Sequence, residues 1–122
     1  MDRMTGSGDP RPPADHRLRV DVITPGELVR LSGRLDARSA AAARSALHEV
    51  VDHGDGELVI AMDELEIWDG SGLGILVGTG RRARQAGRQL VLTGVQAREL
   101  RLLRVARVTW TSSVRPAAAM VS

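Results

Sequence analysis

The chain has 122 residues, enough for one domain with its own core, and a formal charge of only +2. Cys, Tyr, Phe and Lys are absent, so all 17 basic residues are arginine, and Trp68 and Trp110 supply the indole rings. These totals exclude disulfides, thiolate metal sites and a lysine-bearing phosphate loop. They also disfavour the aromatic platforms of single-strand nucleic-acid binders, and no apolar run approaches the ~20 residues of a membrane span.

Residues 1–16, MDRMTGSGDPRPPADH, are rich in Gly, Pro and charge and offer little to bury, which predicts a disordered N-terminal tail. No signal-peptide apolar stretch stands there, so the expected location is cytoplasmic. RLRVDVI then alternates, with Leu18, Val20 and Val22 on one face of a half-buried strand. Pro25-Gly26 marks a turn, and ELVRLSG predicts a second strand, ending at Gly33 and antiparallel to the first. Asp36 is the expected N-cap of a helix over ARSAAAARSALHEVVD, with Ala40, Ala43, Leu47, Val50 and Val51 inward. ELVIAM reads as a short central strand covered on both faces.

SGLGILVGTGRRARQAG predicts a second helix with Leu73, Leu76, Val77 and Ala83 inward and arginines at its negative end. RQLVLTG is a further buried strand, QARELRLLRVA a third helix with Ala97, Leu100 and Leu103 inward, and RVTWTSSV a short last strand. The predicted order is β-β-α-β-α-β-α-β, a single α/β domain with helices packed against a mixed β-sheet. The domain is expected over 17–111, with 112–122 set apart as a C-terminal segment.

Between the third strand and second helix stands IWDGSGLG, Ile67 to Gly74. Glycine in a helix costs about 0.5–1 kcal/mol relative to alanine, so tertiary packing has to hold this helix. Its first turn has few side chains to cover backbone N–H groups, which attract anions and acceptors. The carboxyl end of a central strand is also where open α/β sheets meet ligands. Asp69, Gly70, Ser71 and Gly72 therefore suit a contact site. A structural reading fits the same residues: Asp-Gly makes turns, Asp69 or Ser71 caps a helix, and glycine allows close packing.

Three segments, in this order and spacing, resemble the STAS domain (sulphate transporter and anti-sigma factor antagonist), in its anti-sigma factor antagonist branch. They are LSGRLDARSAAAARSAL, LVIAMDELEIWDGSGLGILVG and RRARQAGRQLVLTGV. The resemblance covers about 17–111 and implies protein binding without catalysis. Such a domain binds an anti-sigma factor, usually a GHKL-type serine kinase, and so releases a sigma factor to regulate transcription. Phosphorylation of the first hydroxyl after the loop aspartate breaks that complex.

Here the family's phosphoacceptor position falls on Gly70, which has no hydroxyl, and Ser71 matches the second hydroxyl. Two readings follow: a phosphorylation-insensitive module, or Ser71 as substitute acceptor. The first is preferred on the expectation that Ser71 is partly committed to the helix's first turn. Asp36, Trp68, Asp69, Gly70, Ser71 and Gly72 are the expected partner-binding residues. Asp36 would shape its loop, Asp69 would cap the helix, and Gly70 and Gly72 would admit a partner's backbone. The resemblance also admits a scaffold module of a signalling assembly and a regulatory subunit of a membrane transporter.

Other chemistries fit less well. HEVVDH has Asp52 where a zinc-protease motif needs a second histidine, so His48 and Asp52 make an incomplete site and no metal is expected. GSGLG lacks the third glycine of the dinucleotide fingerprint, and DGSGLG lacks the first glycine of a nucleophile elbow. No enzyme and no cofactor are expected, although bare amides at the Ser71 helix start leave room for weak nucleotide binding. Arg81, Arg82, Arg84 and Arg88, and Arg98, Arg101, Arg104 and Arg107, read as two solvated basic faces. Direct nucleic-acid binding is not expected, because no helix-turn-helix or other reading element accompanies them.

Overall fold

A computed structural model describes residues 17–105 and the strand at 112–115. The expected tail over 1–16, Trp110 and the residues after 115 lie outside the described set. The elements are β1 (Arg19–Thr24), β2 (Leu28–Leu35), α1 (Ala40–Asp52), β3 (Glu57–Ile67), α2 (Gly70–Gln85), β4 (Gln89–Thr93), α3 (Ala97–Val105) and β5 (Ser112–Arg115). The sheet order is β1-β2-β3-β4-β5. β1 and β2 are antiparallel, and the other neighbours are parallel. β5 pairs with β4, so the sheet continues past residue 111, the expected end of the domain, into 112–115.

The hairpin forms because Thr24-Pro25-Gly26-Glu27 has the chemistry of a type II turn. Proline presets the first central φ, Gly26 takes φ 74°, and the Glu27 N–H donates to the Thr24 carbonyl at 2.9 Å. β2 and β3 supply much of the core through Val29, Leu31, Leu35, Leu58, Ile60, Met62, Leu65 and Ile67, each 1% exposed or less. α1 adds Ala43, Leu47, Val50 and Val51, and α2 adds Ile75, Leu76 and Ala83. Each large aliphatic side chain buried this way contributes about 1.5–3 kcal/mol.

Several elements differ from expectation, each for a visible reason. β2 continues past Gly33 to Leu35, and β3 runs to Ile67, well past the ELVIAM segment. Leu35 pairs with Ile67, and Leu65 and Ile67 alternate inward between the acidic residues. β4 stops against Ala61, so among the described residues the rest of β3 has no strand on that side. α3 fills the role. Gln96 donates its side-chain amide to the Asp63 carbonyl at 2.7 Å, and the buried Glu99 carboxylate accepts the Ile67 N–H at 3.2 Å. That is why α3 turns Glu99 and Leu103 inward, whereas Ala97 is exposed and Leu100 only half-buried.

On α2, Leu73 and Val77 are likewise half-buried, and Ile75, Thr79 and Gly80 are buried beside Leu76 and Ala83. Arg88 also departs from the solvated-face reading. It is 5% exposed, and its guanidinium donates to the carbonyls of Val50 at 3.1 Å, Val51 at 3.0 Å and Gly56 at 3.0 Å, and to that of Gly26. It thereby closes the C-terminal end of α1, where a cation complements the helix dipole.

Candidate functional site

The site lies where β2 and β3 end. The last ladder pair is Leu35 with Ile67, and the Trp68 N–H still donates to the Leu35 carbonyl at 2.9 Å. Asp69 then takes extended backbone angles, φ −156° and ψ 179°, and becomes the N-cap of α2. One carboxylate oxygen accepts the Gly72 N–H at 3.0 Å, which satisfies a donor of the helix's first turn. The other accepts the Ala37 N–H at 3.0 Å. Asp69 therefore ties the start of α2 to the loop after β2. The Gly72, Ala37 and Ser71 amides hold its carboxyl below the usual aspartate range, with Gly72 the largest influence.

Asp36 shapes that second loop but does not cap α1. Its carboxylate accepts the N–H groups of Arg38 at 2.9 Å and Ser39 at 3.2 Å, while its own N–H donates to the Ser39 hydroxyl at 3.1 Å. This closed turn occupies residues 36–39, so α1 begins only at Ala40, with Ser39 in the N-cap position and no side-chain cap.

The two glycines differ sharply. A side chain on Gly72 would collide with the Leu35 carbonyl, so this residue is buried and lets α2 start hard against the end of β2. The expectation that Gly72 admits a partner's backbone is replaced by this contact within the chain. Nothing lies within 4 Å of the place a Cβ would take on Gly70, and its φ is not positive. Neither packing nor backbone geometry demands glycine at 70.

Asp69, Gly70 and Ser71 are all exposed. Ser71 stands in the first turn of α2, where its backbone N–H faces the Asp69 carboxylate, and among the described residues its hydroxyl has no hydrogen-bond partner. Trp68 is 52% exposed and held from two directions. The Arg34 guanidinium stacks on the ring, 3.9 Å from its centroid, and the indole N–H donates to the Glu66 carboxylate at 3.1 Å. Sequence reasoning missed Arg34 and Glu66. Their signal lies in strand register: Arg34 stands opposite Glu66 in the parallel ladder, and Glu66 and Trp68 are two residues apart. A 360 Å³ cleft beside Glu66 is lined by Arg17, Arg19, Asp63 and Glu64, more polar than the apolar pockets that usually take small organic ligands.

Among the described residues no group of three or more His, Asp or Glu side chains stands together as a metal site. Asp52 instead meets Arg82 in a two-pronged ion pair at 3.0 and 2.7 Å. No helix among the described residues is long and apolar enough to cross a membrane.

A mixed five-stranded sheet, alternating helices and an exposed junction after β3 define the class, a small α/β domain presenting a strand-to-helix loop. The chain belongs to the STAS domain family. The profile described as "Mlab, STAS domain" matches residues 23–110 of the 122. An anti-sigma F factor antagonist of Paenibacillus polymyxa is 31% identical over 77 residues, which span 62% of this chain and 66%, just under two thirds, of that protein.

Among solved structures, the anti-sigma factor antagonist SpoIIAA of Bacillus shares the fold in its unphosphorylated and phosphorylated forms. The TM-scores are 0.65 and 0.64 at 14% identity, covering 86% of this chain and 93% and 96% of those. An anti-sigma factor antagonist from Mycobacterium paratuberculosis has a TM-score of 0.61 at 26% identity, covering 84% of this chain and 87% of that one.

Proposed function

We propose that this chain is an anti-sigma factor antagonist that acts by binding, without catalysis, and that its complex is not switched off by phosphorylation at residue 70. The observation that carries the reading is the exposed Trp68–Ser71 junction, tied down by Asp69 and lacking a hydroxyl at Gly70. The relatives from Paenibacillus polymyxa and Mycobacterium paratuberculosis bear the name of that activity, which supports it here.

The partner is a cytoplasmic anti-sigma factor with serine kinase activity, and binding it frees a sigma factor. Trp68 serves as the anchor, in keeping with the enrichment of tryptophan at binding hot spots. Arg34 and Glu66 set its orientation in advance and lower the entropy lost on docking. A phosphate on this loop would add about −1.5 to −2 charges beside Asp69, and Gly70 cannot accept one.

The test is a pull-down of the full chain with candidate anti-sigma kinases and ATP, followed by mass spectrometry. The expected result is a complex that persists in ATP, with no phosphate on this chain. Phosphate on Ser71 would move the switch one residue along and overturn the insensitive reading. Binding to none of the kinases would overturn the partner.

A further inference from the structure

β1 is an edge of the sheet, and among the described residues nothing pairs with its outer side. An open edge is a template for a further strand. Two adjacent aliphatic side chains on it, Val22 and Ile23, are 50% and 49% exposed. Its sequence, Arg19-Val20-Asp21-Val22-Ile23-Thr24, also restricts how a second copy could pair with it.

In an antiparallel pair about a two-fold axis, the central residue faces its own copy, and residues equally far on either side face each other. Centring on Arg19 or on Asp21 sets like charges face to face, which is destabilising. Centring on Val22 carries the ladder into the irregularity that β1 shows between Val22 and Thr24, and leaves Asp21 without an opposite charge. Centring on Val20 places Arg19 opposite Asp21 of the second copy, twice. On the other face Leu18 meets Val22, Val20 meets Val20, and Val22 meets Leu18. Leu18 and Val20 already pack against the core, so that apolar row would continue from one copy into the other. Among the described residues Arg19 and Asp21 make one long, exposed contact at 3.9 Å within the strand, with side chains 73% and 44% exposed, and Arg19 also borders the acidic cleft beside Glu66, so neither is locked in place against a partner.

We propose that β1 pairs with β1 of a second copy of this chain, antiparallel and centred on Val20, joining two five-stranded sheets into one. The two charges guard the edge against the neighbouring registers and favour this one. One six-residue strand per copy makes a small interface, in the weak class below roughly 1,200 Å². The dimer therefore forms and dissociates with concentration.

The experiment is sedimentation velocity of the full chain from about micromolar to about millimolar, the range that a weak interface requires. The expected mass rises from 13.1 kDa toward twice that value. Arg19→Asp and Asp21→Arg each abolish the rise, and the double exchange restores it, with folding of every variant checked by circular dichroism. Because the chain has no cysteine, Val20→Cys introduces a single thiol. On oxidation it yields a disulfide-linked dimer, whereas Val22→Cys, facing Leu18 of the other copy, does not. A monomer at every concentration overturns the proposal, including the case in which residues 1–16 of the same chain cover the edge. A dimer that ignores both charge reversals also overturns it, because it forms through another face.

Discussion

The two ends of the sheet solve the same problem with opposite charges and opposite exposure. At the amino ends of β2, β3 and β4, the Arg88 guanidinium gathers carbonyls from the end of α1 and the neighbouring loops. At the carboxyl ends of β2 and β3, the Asp69 carboxylate gathers N–H groups from the start of α2 and from Ala37. Each charge suits the helix end that it meets. Arg88 is 5% exposed and closed in by the chain, whereas Asp69 and the two residues after it are open to solvent. The same device thus closes the fold where it is covered and, at the open end, holds the loop proposed to meet a partner.

This contrast can be broken at the covered end first. Arg88→Ala strands several buried carbonyls at once and should destabilise the fold by about 3 kcal/mol or more. Arg88→Lys should recover only part of the loss, because an ammonium lacks the planar fork that reaches several carbonyls. Urea unfolding reads both. At the open end, Trp68→Ala should weaken partner binding by about 2 kcal/mol, roughly thirtyfold, while the unfolding midpoint stays near its native value. Calorimetric titration beside a urea curve separates the two effects.

The glycines sharpen the comparison on a finer scale. Gly72→Ala presses a methyl group into the Leu35 carbonyl and should destabilise by about 1–3 kcal/mol. Gly70→Ala meets open space and, at the first residue of α2 rather than in its interior, should stabilise by about 0.5 kcal/mol or less. Opposite shifts in melting temperature would be the readout. The smallest effect is that of pH at Asp69. Its carboxyl is depressed in the folded state, so its contribution is complete above the ordinary aspartate value, about 3.9, and is lost as pH falls through the lower folded value. Asp69→Asn should flatten the acid limb of the stability curve, measured from about pH 5 downward.

Much of the fold could be read from local chemistry. The Pro-Gly turn defined the hairpin, and the 3.6-residue spacing of Ala43, Leu47, Val50 and Val51 defined the buried face of α1. Features that depend on what lies across the sheet were hidden. Nothing local separates Arg88 from the solvated arginines before it, because its partners come from 26 to 57 in the chain. Glu99 looks like a surface acid until β3 is known to outrun β4 and need an acceptor at Ile67. The capping role of Asp69 was legible, because aspartate is a favoured N-cap just before a helix. Its second bond, to Ala37, was not, and neither was the hold of Arg34 and Glu66 on Trp68, which requires the β2–β3 register.

The most direct test of the central claim sets the native chain beside Gly70→Ser in the presence of a binding anti-sigma kinase and ATP, with phosphate located by mass spectrometry. The open space at residue 70 admits the serine without rearrangement. The account predicts phosphate on the new hydroxyl and loss of the variant's complex, while the native complex persists unmodified. Phosphate on the native chain at Ser71, or a Gly70→Ser protein that binds the kinase and stays unmodified, would contradict it.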